Sequence, residues 1–248
     1  MLDAPWPEAT VRVTPPSLFS DAWSSRLHRD RPLSPSEALG GSVVRSVLVL
    51  VAHPDDETLA MGATLASLAA EGVAVHVVCL SAGEAALDHL YVAEPDLGER
   101  RVAELALACA ELGVQCHETP RWPDGRLDVC TDEAAAAIGG LVEDLDPDVV
   151  MTLWRHDPHP DHQAAAAVAG RVAGDRPVVE MLLWAVHWTD PATVDVDVRP
   201  VETSAEGRRA KARALASYPS QTQPLRQGLY PVVPQSALNW PHECVVLS

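Results

Sequence analysis

Apolar runs alternate with segments of helical spacing along most of the chain. Residues 47–52 are wholly apolar and rich in valine, a pattern typical of a central parallel strand that is covered on both faces. Leu59, Met61, Leu65 and Leu68 follow at roughly helical spacing and predict a helix over 58–70. The same criteria predict strands over 45–52, 73–80, 115–118, 148–153, 178–185 and, at an edge, 194–201, and helices over 99–112, 131–145, 161–173 and 205–217. This alternation predicts an α/β fold with a mostly parallel sheet.

The two ends of the chain lack this alternation. Residues 1–42 are rich in proline, and we interpret them as an N-terminal extension, extended or partly disordered, that precedes a domain over 43–248. Within the extension, a short helix over 34–39 is expected, with Ser34 as its N-cap and Pro35 at its first position. Thr131 is expected to cap the helix over 131–145 in the same way. From Tyr218 onward we predict a proline-rich loop.

Composition and charge restrict the possible partners. Hydrophobic residues make up 47% and charged residues 21% of the 248 residues, which indicates a globular domain. The net charge of −17 argues against nucleic acid as a partner, and no apolar run reaches the ~20 residues that cross a membrane. The five cysteines are odd in number and lack Cys-x-x-Cys spacing, so we expect reduced thiols. With no secretory signal at the N-terminus, a cytoplasmic protein is expected.

Two clusters of histidines and carboxylates each follow a predicted strand. The first comes directly after residues 47–52 and contains His53, Asp55, Asp56 and Glu57. The second comes after 148–153 and contains His156, Asp157, His159, Asp161 and His162. Ligands of open α/β sheets bind at the carboxyl ends of strands, where both clusters are expected. Two His-Pro-Asp turns in equivalent positions predict a metal site.

The residue types in these clusters are those of catalytic zinc sites, which use three protein ligands and keep one position open. His53 and Asp56 are three residues apart across a turn, so both can face one point. A third ligand can come from His159 or His162. The residues left over can transfer protons, as a hydrolase requires. Iron(II) is compatible with the same ligands.

The residues of the two clusters also have explanations that are less specific than a metal site. Asp55, Asp56 and Asp161 could each simply cap a helix, and a single histidine could be a solvated loop residue. Both turns together are poorly explained by capping alone. The first predicted strand is followed by no G-x-G-x-x-G, which argues against a dinucleotide-dependent dehydrogenase, and the sequence lacks the G-x-S-x-G of serine hydrolases.

The clusters resemble the LmbE-like, or PIG-L, family of zinc-dependent N-acetylglucosaminyl deacetylases. The resemblance rests on the segments 52–57 and 159–162 and runs from about Ser46 to Gln221. Supporting similarities are Arg101 with Glu104, the turn over 122–125, and Lys211 followed by Ser220 and Gln221. The resemblance implies a Rossmann-like three-layer fold.

The resemblance also implies roles for individual residues. His53, Asp56 and His162 would bind zinc, Asp55 would be the general base, and His159 would stabilise the oxyanion and protonate the amine. Glu57 and Asp161 suit positions from which they orient a ligand histidine.

Substrate contacts are implied for two further residues, Arg101 and Asp124. Each has a structural alternative, Arg101 as a surface ion-pair partner and Asp124 as a turn former. Trp122, Trp154, Trp184 and Trp188 are candidates for stacking on a sugar, although most tryptophans are expected in the core or at its rim.

The resulting hypothesis is a zinc hydrolase that removes an acetyl or other acyl group from an amino-sugar conjugate. The expected partner is therefore a small amino-sugar substrate, without nucleic acid or membrane, and a homo-oligomer is left open. One alternative is an amidase of the same fold that acts on a thiol conjugate or larger amide. Another is a metal-binding homologue without catalysis, against which the presence of Asp55 and His159 argues.

Overall fold

The computed structural model describes residues 11–41 and 43–247, and a seven-stranded mixed sheet lies at its centre. The strands are β1 Ser46–Val51, β2 Ala74–Cys79, β3 Gln115–Cys116, β4 Val149–Leu153, β5 Val178–Met181, β6 Asp197–Val201 and β7 Glu243–Leu247. Their order is β3-β2-β1-β4-β5-β7-β6, with all pairs from β3 to β5 parallel and β7 antiparallel to both neighbours. The predicted α/β fold with a mostly parallel sheet is confirmed.

Ten α-helices accompany this sheet in the described residues. They are α1 Ser20–Leu27, α2 Pro35–Ala38, α3 Asp56–Ala70, α4 Leu97–Leu112, α5 Thr131–Leu145, α6 Pro160–Val172, α7 Ala185–Trp188, α8 Ala205–Ala216, α9 Pro219–Thr222 and α10 Gln235–Leu238. Helices α3, α4 and α8 pack together, and α5 packs on α6. The five long helices predicted from periodicity are confirmed, with ends within two residues of those expected.

The predicted loop after Tyr218 is wrong for the end of the chain. Strand β7 lies there and inserts between β5 and β6, with Val245 opposite Met181 and Glu243 opposite Val201. The predicted edge strand is confirmed as β6. A strand of five residues behind a proline-rich segment carries little periodic signal, and its sheet partners are distant in sequence.

Smaller differences concern caps and strand ends. Ser34 caps α2 as predicted, because its Oγ accepts a hydrogen bond from the Glu37 amide, at 3.2 Å, and Pro35 follows. Thr131, in contrast, is the first residue of α5 and not its cap, which is Cys130. Strand β5 ends at Met181, four residues before the predicted end.

The N-terminal extension contains a helix that its sequence did not predict. In α1 only Trp23 and Leu27 are buried, and this single pair is too short a pattern to predict a helix. The segment that follows lies beside β6, where the Leu33 amide donates to the Pro200 carbonyl at 2.8 Å. A domain boundary near residue 42 stays a prediction, and Ser42 itself lies outside the described residues.

Burial follows the predicted pattern at the centre of the sheet. Residues 47–51 of β1 are completely buried. The five cysteines are free thiols, and three of them are buried. Among the described helices, none is both long and apolar enough to cross a membrane.

Helix α3 is interrupted at Met61, whose φ of −139° is not helical. An ion pair between the partly buried Lys211 and the buried Glu243 satisfies the interrupted hydrogen bonds. The Glu243 carboxylate accepts the amides of Ala63 and Thr64, each at 2.8 Å, and Lys211 Nζ donates to the Leu59 carbonyl at 2.8 Å. Because Lys211 Nζ also lies 2.8 Å from Glu243 Oε1, the two residues cap both sides of the break.

We expect Lys211→Met to destabilise the protein by about 3 kcal/mol, because it leaves the Glu243 carboxylate buried without its counter-charge. Chemical denaturation measures the free energy of unfolding. Arg209→Met is the control, because it removes an ion pair with Glu206 that is exposed on both sides, and should change stability by less than about 1 kcal/mol. Equal stability losses in the two variants would contradict this account of the break in α3.

Candidate metal centre and active site

The two clusters meet at one edge of the sheet because β1 and β4 are adjacent and parallel. The first cluster forms the turn from β1 into α3, and the second forms the turn from β4 into α6. The structure brings together all seven residues predicted for the site. Six of them line one cavity: His53, Asp55, Asp56, Arg101, Asp124 and His159. His162 is completely buried behind them.

His53, Asp56 and His162 form a buried group that could hold a metal ion. One ligand atom from each lies within 4.8 Å of the others. Asp56 is between the two histidines, with Oδ2 3.3 Å from His53 Nδ1 and Oδ1 3.3 Å from His162 Nε2. His53, His159 and Asp161 form a second such group that shares His53.

The residues of the first group fit a cation. Neither ring nitrogen of His162 makes a well-aligned hydrogen bond, although the ring is completely buried. Burial by itself would lower the pKa of His162, but the charges of Asp56 and Asp157 raise it to about 9. Likewise, burial opposes protonation of His53, yet Asp56 and two further carboxylates hold its pKa well above the ordinary value. The carboxylates thus favour positive charge where a divalent ion would bind.

Asp157, for which the sequence predicts no role in the site, contacts His162. The Asp157 side chain is completely buried, and its Oδ1 lies 3.1 Å from His162 Nδ1. Its other oxygen accepts the amides of Trp184, at 3.0 Å, and Ala185, at 3.2 Å. Carboxylates in such contacts fix the ring orientation of a ligand histidine. The position of Asp157 in the sequence does not distinguish it from the other carboxylates of the second cluster, so this contact could not be predicted.

Two carboxylates lie near the second ring nitrogen of His53. Asp161 Oδ2 and Asp124 Oδ1 are each 3.1 Å from His53 Nε2. The Asp161 side chain also accepts the backbone amide of Gly125, at 2.7 Å, which joins the turn over 122–125 to the site. The expected contact between Asp161 and a candidate ligand histidine is therefore present. Asp124 also accepts the Ala85 amide at 2.9 Å, so it does more than form a turn.

Asp55 lies beside the metal group on a strained backbone. Its φ of 117° is rare for a residue with a side chain and costs of order 1–3 kcal/mol. The nearest cation is Arg101, whose Nη2 is 3.4 Å from Asp55 Oδ2. Burial raises the pKa of Asp55 to about 8, against the lowering effect of Arg101. Asp55 can therefore take up or release a proton near neutral pH.

Arg101 is buried, so the alternative of a surface ion pair is wrong. It is 4% exposed and donates to the backbone carbonyls of Gly83, at 2.8 Å, and Pro54, at 2.7 Å. A side chain on Gly83 would overlap the guanidinium, since a Cβ there would lie 2.2 Å from Nη1. Arg101 thus holds the loop over 81–97 against the first cluster.

His159 is the N-cap of α6, and this contact determines its tautomer. The Asp161 amide donates to His159 Nδ1 at 3.3 Å, so in the neutral ring the hydrogen is on Nε2. Burial and the neighbouring His162 and His53 lower the pKa of His159 to about 4. These effects favour a neutral ring, whereas protonation of the amine, which the resemblance implies for His159, requires a protonated one.

Glu57 does not contact a histidine, contrary to expectation. Its carboxylate accepts hydrogen bonds from Tyr218 Oη, at 2.6 Å, and from the Asp55 amide, at 3.2 Å. A second carboxylate makes a similar link, because Glu104 Oε1 accepts the Ser220 amide at 2.9 Å. Residues 218–220 are thus attached to both α3 and α4.

The cavity above these residues has a volume of about 600 Å³, within the ~300–1,000 Å³ typical of small-molecule sites. Its base is polar and charged, and Val13, Trp184, Trp188, Val232 and Val233 add apolar lining. Further polar lining comes from Arg12, Thr14, His89 and Gln221. The rings of Trp184 and Trp188 stack, with centroids 4.6 Å apart and an interplanar angle of 6°. Trp122 and Trp154, the other two tryptophans considered for stacking, are buried in the core.

Comparisons with solved structures show the same fold. The deacetylase of an antimicrobial pseudoaglycone is 22% identical with a TM-score of 0.61, over 82% of this chain and 96% of that one. Teicoplanin deacetylase in its zinc-inhibited form is 20% identical with a TM-score of 0.60, over 81% of this chain and 97% of that one. At these identities the comparisons support the α/β architecture alone.

Sequence comparisons give a more specific result. A 1D-myo-inositol 2-acetamido-2-deoxy-alpha-D-glucopyranoside deacetylase from Thermomonospora curvata is 37% identical over 146 residues, which are 48% of this chain and 48% of the relative. The chain thus spans about half the length of the curated relatives it matches. The family model for GlcNAc-PI de-N-acetylase matches residues 48–173, about half of the chain, including both clusters. The chain therefore belongs to the PIG-L family of GlcNAc-PI de-N-acetylases, as its two His-Pro-Asp turns predicted.

Proposed function

We propose that this protein is a zinc-dependent hydrolase that removes the acetyl group from the nitrogen of an N-acetylglucosaminyl compound. The observation that carries the proposal is the buried group of His53, Asp56 and His162, which lies beside Asp55 and His159 at the base of one cavity. Membership of the family and the deacetylase name of the Thermomonospora curvata relative support the proposed reaction. A Rossmann-like arrangement of three layers is part of this proposal.

His53, Asp56 and His162 are the proposed metal ligands, with Asp157 and Asp161 orienting the two histidines. A bound zinc ion supplies a Lewis acid that polarises the amide carbonyl and lowers the pKa of water. Two histidines and one carboxylate suit zinc, and iron(II) also accepts them. This choice of metal is part of the proposal.

Asp55 is the proposed general base, which takes a proton from the attacking water. A base is most effective when its pKa lies near the working pH, and burial places that of Asp55 at about 8. Its backbone is held by α3 on one side, and its carboxylate by Arg101 on the other. The same proton can then pass from Asp55 to the leaving amine.

His159 is proposed to stabilise the negative charge that develops on the carbonyl oxygen. Its neutral ring carries hydrogen on Nε2, which can donate a hydrogen bond to that oxygen. The low pKa of His159 makes Asp55 the better proton source for the amine, which modifies the role expected from the sequence.

Arg101 and Asp124 remain predicted substrate contacts, since both line the cavity. Their contacts with Asp55 and His53 also give them a positioning role. Because Arg101 is buried, we expect its replacement to affect folding as well as turnover. A cytoplasmic location and a homo-oligomer stay predictions, and an amidase acting on larger amides remains the alternative.

We expect the purified protein to bind about one zinc ion per chain. His162→Ala should reduce zinc affinity most, because it removes a ligand, whereas Asp157→Asn should cost about 10–100-fold by releasing the orientation of that ligand. Competition with a chromophoric chelator measures the affinities. Asp128→Asn replaces an exposed carboxylate and is the control, with no change expected. Wild-type affinity in Asp157→Asn would show that its contact with His162 does not orient a metal ligand.

Zinc affinity should rise with pH up to about 9, because zinc must displace the protons that the carboxylates hold on His162 and His53. Each displaced proton makes the affinity about tenfold higher per pH unit below the pKa of that histidine. Calorimetry in buffers of different ionisation enthalpy counts the protons released. His162→Ala should release one proton fewer, and an affinity independent of pH would contradict the assignment of these ligands.

The reaction is tested by detecting free amine with fluorescamine after incubation with N-acetylglucosaminyl compounds, with and without zinc. We expect zinc-dependent release by the wild type. Asp55→Asn should keep the metal but lose about 10²–10⁴-fold in rate, as expected for loss of a base. The side chains are nearly equal in size, and asparagine tolerates positive φ, which suits the backbone of Asp55.

Asp56→Asn is the matched variant for this comparison, because it makes the same chemical change in the adjacent residue. It should lose zinc affinity as well as rate. Identical metal content and identical rates in the two variants would contradict the assigned roles. If the zinc-loaded protein releases amine from none of these compounds, the proposed reaction is overturned.

A further inference from the structure

One side of the cavity is built by residues outside the part of the chain that the family model matches. We define the apolar wall as Val13, Trp184, Trp188, Val232 and Val233, all of which line the cavity. The family model ends at residue 173 and begins at residue 48, so it includes none of them. The polar base, in contrast, lies within the matched residues. The matched region therefore does not describe this part of the cavity lining.

The N-terminal extension supplies Val13 and is held in place on both sides. The Val11 amide donates to the Gly228 carbonyl at 3.2 Å, and the Tyr230 amide donates to the Val11 carbonyl at 3.0 Å. In the same segment, the Val13 carbonyl oxygen lies 3.0 Å from His89 Nε2. These bonds join residues 11–14 to the loop over 81–97 and to the chain after residue 225.

Val13 is buried by apolar neighbours. It forms a cluster with Leu87 and Leu229, against which Leu225 and Val232 pack. Val13 itself is 7% exposed, although the extension lies at the surface of the domain. Val13 packs among leucines and also borders the cavity. This part of the cavity lining is therefore apolar, and the packing fixes its position.

The aromatic part of the wall has a fixed position relative to the candidate metal ligands. The Trp184 amide donates to Asp157, the same carboxylate that lies 3.1 Å from His162 Nδ1. Trp188 is stacked on Trp184 one helical turn later. A flat apolar surface of this kind suits an aromatic ring or an alkyl chain.

Arg12, Thr14, His89 and Gln221 also line the cavity and can form hydrogen bonds with hydroxyl groups. Against the apolar wall itself, a polyol would be poorly accommodated. Each hydroxyl that is buried without a hydrogen-bond partner costs free energy, and valine side chains offer no partner. The cavity volume of about 600 Å³ is in the range that encloses drug-sized ligands, which exceed one monosaccharide. The space beside the wall therefore fits a second, apolar part of the substrate.

We propose that the substrate is an N-acylated amino sugar that carries an apolar group, and that this group binds against the apolar wall with Val13 as a specificity-determining residue. This proposal rests on the proposed function, because it extends the substrate of the same site. The apolar group can belong to the aglycone or to the acyl chain, since both present the same chemistry to the wall.

The test compares matched substrates on the zinc-loaded, full-length protein. The aglycone series consists of methyl, phenyl and myo-inositol glycosides of N-acetylglucosamine, and the acyl series of N-acetyl- and N-octanoylglucosamine. We expect kcat/KM for the phenyl glycoside, or for the N-octanoyl sugar, to exceed that of its methyl or acetyl counterpart by about tenfold or more. The series that shows the preference identifies which part of the substrate meets the wall.

Variants on the extension test the role of Val13. Val13→Asn introduces an amide into the wall and should reduce the preference for the apolar substrate several-fold. Val11→Asn is the matched control on the same segment, because Val11 is 41% exposed and should keep the wild-type preference. Trp188→Leu is a second variant, in case Val13→Asn displaces the extension; it keeps the wall apolar but should weaken the preference for the phenyl ring. Melting temperatures verify that the variants fold.

The outcomes separate this inference from the proposed function. If amine is released but the apolar and polar substrates are used equally, the inference is overturned and the proposed function stands. Calorimetric titration with the same compounds measures binding without turnover. Tighter binding of the apolar compounds without amine release would support the inference and overturn the proposed function. Equal or undetectable binding of all compounds, again without amine release, would overturn both.

Discussion

Burial of many ionisable side chains at one edge of the sheet is the constraint on which the rest of the structure depends. The group consists of His53, Asp55, Asp56, Asp157, Asp161 and His162, all nine-tenths or more buried. Burial removes water from charged groups, which costs free energy. Partners of opposite charge or hydrogen bonds must offset this cost if the folded state is to be stable. Each carboxylate here contacts a histidine, an arginine or backbone amides. These contacts determine how the side chains of the site are arranged.

The late part of the chain supplies much of the support for the first cluster. Glu243, on β7, accepts the amides freed by the break in α3, and Tyr218 donates to Glu57. Both contacts hold the helix that begins at the candidate ligand Asp56. Residues that lie well beyond the region matched by the family model thus contact the helix that carries the candidate ligand Asp56.

In the proposed enzyme, the reaction takes place at the base of the cavity and the rest of the lining selects the substrate. Its base is made by turns at the ends of β1 and β4, within the residues typical of the family. Its sides are made by the N-terminal extension, α7 and the segment around Val232. Such a division lets one reaction serve different substrates, because the walls can change without disturbing the ligands. This is why the family membership supports the reaction more strongly than it supports any one substrate.

Local patterns in the sequence determined the secondary structure and the centre of the site. The valine-rich β1 and the helices α3 to α6 were predictable because their periodicity is contained within each segment. The two His-Pro-Asp turns were recognisable because strand, turn and helix are contiguous, so His53 and Asp56 could be expected together with His159 or His162. Only the tertiary structure decided the remaining features. The insertion of β7, the contact of Asp157 with His162 and the burial of Arg101 depend on neighbours that are remote in sequence. The lowered pKa of His159 and the place of Val13 in the cavity lining also depend on burial and charge, which arise only once these distant segments have packed together.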